Sequence, residues 1–81
     1  MDVRKLVGRN VRRCRDQVGI SQEELADRAG IDRTYVSGIE RGVRNPTVLV
    51  LKDIADTLGV TPAALLSPSV DGGQKRRGQP T

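Results

Sequence analysis

Val3, Leu6, Val7, Val11, Cys14 and Val18 recur at intervals of three and four residues, the spacing that gathers side chains on one face of an α-helix. Arg4, Lys5, Arg9, Arg12, Arg13 and Arg15 fill the other faces. Asp2 stands where a side-chain oxygen caps the first turn, and Gly19 where a left-handed residue closes the last. A shorter pattern follows. Ser21 and Glu24 have capping-box spacing ahead of Leu25, Ala26 and Ala29, and Gly30 ends the run. Asp32 is the natural N-cap of a third helix, stopped by Gly42. In "RNPT", Pro46 excludes helix at Asn45, and Thr47 opens a fourth helix through Val48, Leu51, Ile54, Ala55 and Leu58, closed by Gly59. Thr61 followed by Pro62 predicts a short fifth helix. From Ser67 onward the chain turns to Ser, Pro, Gly, Gln and a basic "KRR", a composition that cannot bury enough surface to order itself. The pattern therefore predicts a compact all-α domain over residues 1–66 and a flexible basic tail over 67–81.

Composition sharpens this picture. Phe and Trp are absent and Tyr35 is the only aromatic residue, so the core has to be aliphatic. At 81 residues the chain is one domain at most, near the size at which an unaided core is just sufficient. The net charge of +4, from 14 Lys plus Arg against 10 Asp plus Glu, points to a polyanionic partner. With no His, that charge hardly changes around neutral pH. The inventory also argues against catalysis. Cys14 lies on the apolar stripe as core filler, has no imidazole to activate it, and cannot form an internal disulfide. No metal-ligand cluster is visible, so neither metal, cofactor nor small-molecule ligand is expected. No apolar run has the length of a signal or membrane segment, which predicts a soluble, cytoplasmic protein.

The segment between Gln22 and Arg41 carries the functional signal. Two short helices meet at Gly30, Ala26 is small where they cross, and Val36 and Ile39 point from the second back into the core. That is the pattern of a helix-turn-helix. Val36, Ile39 and Glu40 are expected to look inward. Thr34, Ser37, Gly38 and Arg41 form an i, i+3, i+4, i+7 stripe looking outward, with Arg33 at its N-terminal edge. The stripe is small and hydrogen-bonding, with no bulky apolar residue. An α-helix of this kind fits the DNA major groove, where Gly38 would permit close approach and Arg33 could pair bidentately with guanine.

From about Val11 to Leu66 the chain resembles the Xre-like, phage-repressor-type helix-turn-helix family, on the strength of "SQEELADRAGI", "YVSGIERGVRNPT" and "LKDIADTLGVTPAALL". The string "DRTYVSGIERGVRN" is also similar to the controller proteins of restriction–modification systems, a subset of that family. The resemblance implies that Arg33 and Thr34 read bases, with Ser37 and Gly38 one turn on. It implies that Gln22, at the start of the second helix, donates to a phosphate, and that Arg44 and Asn45 grip the sugar-phosphate from a loop. Arg41 joins them at the DNA backbone, as does Tyr35, which could instead meet a base edge. It further implies an internal ion pair between Arg15 and Glu40 joining the first and third helices.

Leu49 and Val50 depart from the family pattern, which is often polar at those places, and Val18 stands where Lys is common. Since such domains commonly dimerise through their later helices, Leu49, Val50, Val60 and Leu66 are the expected interface. The expectation is a sequence-specific transcriptional regulator that binds double-stranded DNA as a homodimer on a palindromic operator. The nearest sub-role is a restriction–modification controller. A DNA-binding antitoxin, or a protein-interaction adaptor on the same fold, is the alternative. Lys75, Arg76 and Arg77 would add non-specific phosphate attraction or serve only solubility.

Overall fold

The computed structural model describes residues 2–68. Five helices follow in order: α1 (Val3–Val18), α2 (Gln22–Ala29), α3 (Arg33–Glu40), α4 (Val48–Leu58) and α5 (Pro62–Leu65), with no strand among the described residues. The boundaries have local causes. Asp2, Ser21, Thr47 and Thr61 each accept a hydrogen bond from a backbone N–H two or three residues on, satisfying donors that a helix start leaves bare. Asp32 occupies the N-cap of α3, but its carboxylate makes no capping bond. Residues 75–77, the basic part of the expected tail, lie outside the described residues.

The core is aliphatic. Val7, Val11 and Cys14 from α1 meet Leu25 and Ala26 from α2, Val36 and Ile39 from α3, Leu51, Ile54, Ala55 and Leu58 from α4, and Leu65 from α5. Ile20, in the turn after α1, joins them. Three valines assigned to apolar stripes do not. Val3 and Val48 are 57% and 82% exposed, and Val18 is 46% exposed. Each stands at the first or last residue of its helix, where a stripe position sets direction without guaranteeing a neighbour opposite.

Two features of α1 went unread in the sequence. Gly8 lies where α1 crosses the end of α3, and a Cβ there would fall 2.3 Å from the Ile39 carbonyl oxygen and 2.7 Å from that of Glu40. The close crossing exists because Gly8 has no side chain. Asn10 is wholly buried on the apolar stripe, and its Nδ2 donates to the carbonyls of Leu65, at 3.0 Å, and Ser67, at 2.8 Å. Those bonds secure the chain one residue past the expected domain boundary. No helix of the described residues is long and apolar enough to cross a membrane.

Candidate nucleic-acid interface

Helix α3 divides into two faces. Val36 and Ile39 are fully buried, which fixes the helix against the core. Arg33 and Thr34, its first two residues, are exposed, and Ser37 one turn on is half-buried. This leaves hydrogen-bonding side chains at the N-terminal end of a helix whose rotation is set by its buried side. Arg41, the C-cap of α3, and Arg44 and Asn45 in the following loop are exposed as well.

The structure corrects the placement of Gly38. It is buried, and a Cβ built on it would lie 2.3 Å from Arg44 Cγ. The loop after α3 turns back so that the backbone N–H groups of Val43 and Arg44 both donate to the Gly38 carbonyl, at 3.0 and 3.1 Å. The methylenes of Arg44 then lie across the glycine, and its guanidinium sits 5.5 Å from the centre of the Tyr35 ring. Gly38 therefore provides a bed for Arg44 and not an open place on the outward stripe. Periodicity assigned its face correctly, but could not show that the chain doubles back to cover it.

Behind α3, Arg15 and Glu40 form a two-pronged pair, Nε to Oε2 at 2.7 Å and Nη2 to Oε1 at 3.0 Å. Their side chains are only 11% and 4% exposed. Arg15 also donates to the Ile20 carbonyl at 2.9 Å, tying α1, α3 and the turn before α2 together. Donating to the Glu40 carboxylate pushes the Arg15 pKa further above its ordinary value. Gln22 is drawn into the same cluster. Its Nε2 donates one hydrogen to Glu40 Oε1 at 3.0 Å, which orients the amide and leaves its second N–H for the expected phosphate. The carboxylate of Glu40 is the strongest acceptor within reach of that amide.

The expected interface residues fall into two groups. Leu49, 77% exposed, and Leu66, 46% exposed, are open to solvent. Val50 and Val60 are partly buried and pack on the core, so they serve the monomer first. Val3, Val43 and Val48 are further large aliphatics at the surface that the sequence reading did not assign there. Cys14 is buried, and burial raises its thiol pKa, in keeping with a core residue. Among the described residues no group of His, Cys, Asp and Glu side chains could hold a metal ion.

Comparison with known proteins agrees with this geometry. The helix-turn-helix (HTH_3) family pattern matches residues 11–65. The chain is 48% identical over 69 residues to the uncharacterized HTH-type transcriptional regulator y4dJ of Sinorhizobium fredii, covering 85% of this chain and 90% of that protein. The crystal structure of a hypothetical transcription factor, NHTF, from Neisseria superposes with a TM-score of 0.81 at 41% identity, over 86% of this chain and 80% of that one. The restriction-modification controller protein C.AhdI of Aeromonas hydrophila gives a TM-score of 0.74 at 39% identity, over 76% of this chain and 94% of its own. With its fold, its exposed α3 face and these relatives in agreement, the chain belongs to the helix-turn-helix (HTH_3, Xre-type) family of DNA-binding transcriptional regulators.

Proposed function

We infer that this protein is a sequence-specific regulator of the controller kind, binding a palindromic operator as a homodimer. The observation that supports the reading best is the exposed pair Arg33 and Thr34, with half-buried Ser37 one turn on, on a helix whose opposite face is fully buried. In the major groove, Arg33 reaches guanine O6 and N7 while Thr34 and Ser37 meet neighbouring base edges. Arg41, Arg44 and Asn45 hold the flanking backbone, with Tyr35 aligning Arg44. At α2 the backbone N–H groups of the first turn and the remaining N–H of the Gln22 amide, which Glu40 orients, supply the phosphate donors. Similarity to C.AhdI, named as a restriction-modification controller, favours that sub-role over an antitoxin. An adaptor would more often carry an apolar ridge where α3 carries Arg33 and Thr34.

One recognition helix reads only a few base pairs, so a genomic site needs two copies about one DNA turn, roughly 34 Å, apart. Leu49 and Leu66 supply exposed aliphatic surface for a two-fold contact. Selection of bound sequences from random DNA, repeated with Arg33→Ala, tests the reading. The wild type should enrich an inverted repeat. The variant should lose preference at one base pair in each half, where a bidentate contact is worth about 1–3 kcal/mol of discrimination. Enrichment of no common sequence by the wild type would refute specific recognition.

A further inference from the structure

Helix α5 is one turn long, spanning Pro62–Leu65. A helix that short does not persist by its own hydrogen bonds. Three attachments hold it: the Thr61 hydroxyl accepting from Ala64 N–H at 3.1 Å, the buried Leu65 side chain, and the Asn10 amide from α1. The last carbonyls of a helix lack intrahelical donors. Here Asn10 supplies them from another element, donating to Leu65 and to Ser67. Asn10 Oδ1 is buried without a hydrogen-bond partner, so the two donor bonds are what the amide adds over a leucine of the same branched shape. Leu66 lies between the two anchored carbonyls and is 46% exposed.

We propose that Asn10 is a positioning residue for self-association, holding the carbonyls on both sides of Leu66 so that this side chain is presented to a second copy of the chain. The proposal rests on the homodimer reading above. The occupant follows from the surface itself. Residues 63–66 read "AALL", with Ala63 and Leu66 exposed and no charge among them, which suits a patch that meets its own counterpart across a two-fold axis. Once the amide bonds are gone, α5 frays and Leu66 loses its fixed orientation. The ordering cost then falls on the dimer.

Sedimentation equilibrium of the full chain, well below its melting temperature, tests this with Asn10→Leu. The wild type should dimerise. Asn10→Leu should keep a cooperative melt and its helix content, show faster amide exchange confined to residues 62–68, and raise the dimer dissociation constant tenfold or more. A folded variant with an unchanged constant overturns the proposal and leaves the dimer intact as a reading. A wild type that stays monomeric overturns the homodimer reading, and the role of Asn10 in it falls too. If the variant does not fold, the wild type decides. Linkage is reciprocal, so dimerisation must slow exchange of the Asn10 side-chain amide protons by the factor with which their bonds favour the dimer. Exchange independent of protein concentration overturns the proposal.

Discussion

Substituting Gly38 by alanine separates two accounts of this glycine. In the structure the new methyl would lie 2.3 Å from Arg44 Cγ and 3.3 Å from Arg44 Cβ. The Arg44 backbone cannot retreat easily, because its N–H donates to the Gly38 carbonyl at 3.1 Å. The side chain can, by rotating about χ1 into another staggered well. That move gives up the guanidinium–Tyr35 contact, worth about 0.5–1 kcal/mol at an exposed site. Against this, alanine gains about 1 kcal/mol over glycine inside a helix, and Gly38 is well inside α3. The two effects nearly cancel, so the unfolding free energy should stay within about 1 kcal/mol of wild type.

DNA binding should respond differently. Arg44 would no longer be held where the loop presents it, and affinity should fall by roughly three- to tenfold, about 1 kcal/mol, on cognate and random DNA alike. A double-mutant cycle supplies the assay. With Arg44→Ala already in place, Gly38→Ala should cost almost no further affinity, because both changes act through one side chain. Additive losses would mean that Gly38 itself meets the DNA. A stability loss above about 2 kcal/mol would mean that the Arg44 stem cannot leave its bed, and either result refutes the reasoning.

Gly8→Ala should behave oppositely. Its methyl meets the backbone oxygens of Ile39 and Glu40, which have no rotamer to change, so a cost of about 1–3 kcal/mol should outweigh the gain in helix propensity and lower the melting midpoint. Glu40→Ala leaves the Arg15 cation, 11% exposed, without its two-pronged partner and with only the solvent-exposed Asp16 carboxylate at 3.6 Å. Loss of 3–5 kcal/mol is expected in urea denaturation, a large part of what a domain this size possesses, and a loss under about 1 kcal/mol would show the pair to be solvent-screened. Arg44→Ala should reduce the salt dependence of DNA binding by roughly one unit of slope, and an unchanged slope would place the side chain away from phosphates. Burial raises the Cys14 pKa, so the folded chain holds the thiol proton where the unfolded chain has lost it. Stability should therefore fall as pH rises past the ordinary thiol value, and alkylation at mildly alkaline pH should be far slower in native protein than in urea.

The helices were legible because their ends are written in side chains that act locally. Ser21, Thr47 and Thr61 each bond an N–H three residues on, and Gly19, Gly30 and Gly59 each take a left-handed conformation at a helix end. Such signals depend on nothing far away. What depended on distant packing was not legible. Leu49 and Val50 are adjacent aliphatics in the sequence, yet one is open to solvent and the other rests on the core, because neighbouring positions on a helix point about 100° apart. The outward stripe of α3 was read from its spacing, but spacing could not reveal that residues 41–44 return across Gly38.

Asn10 is the instructive case. It occupies a stripe position between Val7 and Cys14, where an aliphatic residue is expected. A polar residue at such a place signals a partner that itself needs a hydrogen bond. Here the partner is the end of a one-turn helix 55 residues further along the chain. The aliphatic spacing of α1 passes over this amide, and only the fold shows which carbonyls it meets. That is why the residue connecting α1 to the exposed Leu66 surface was absent from the set read off the sequence.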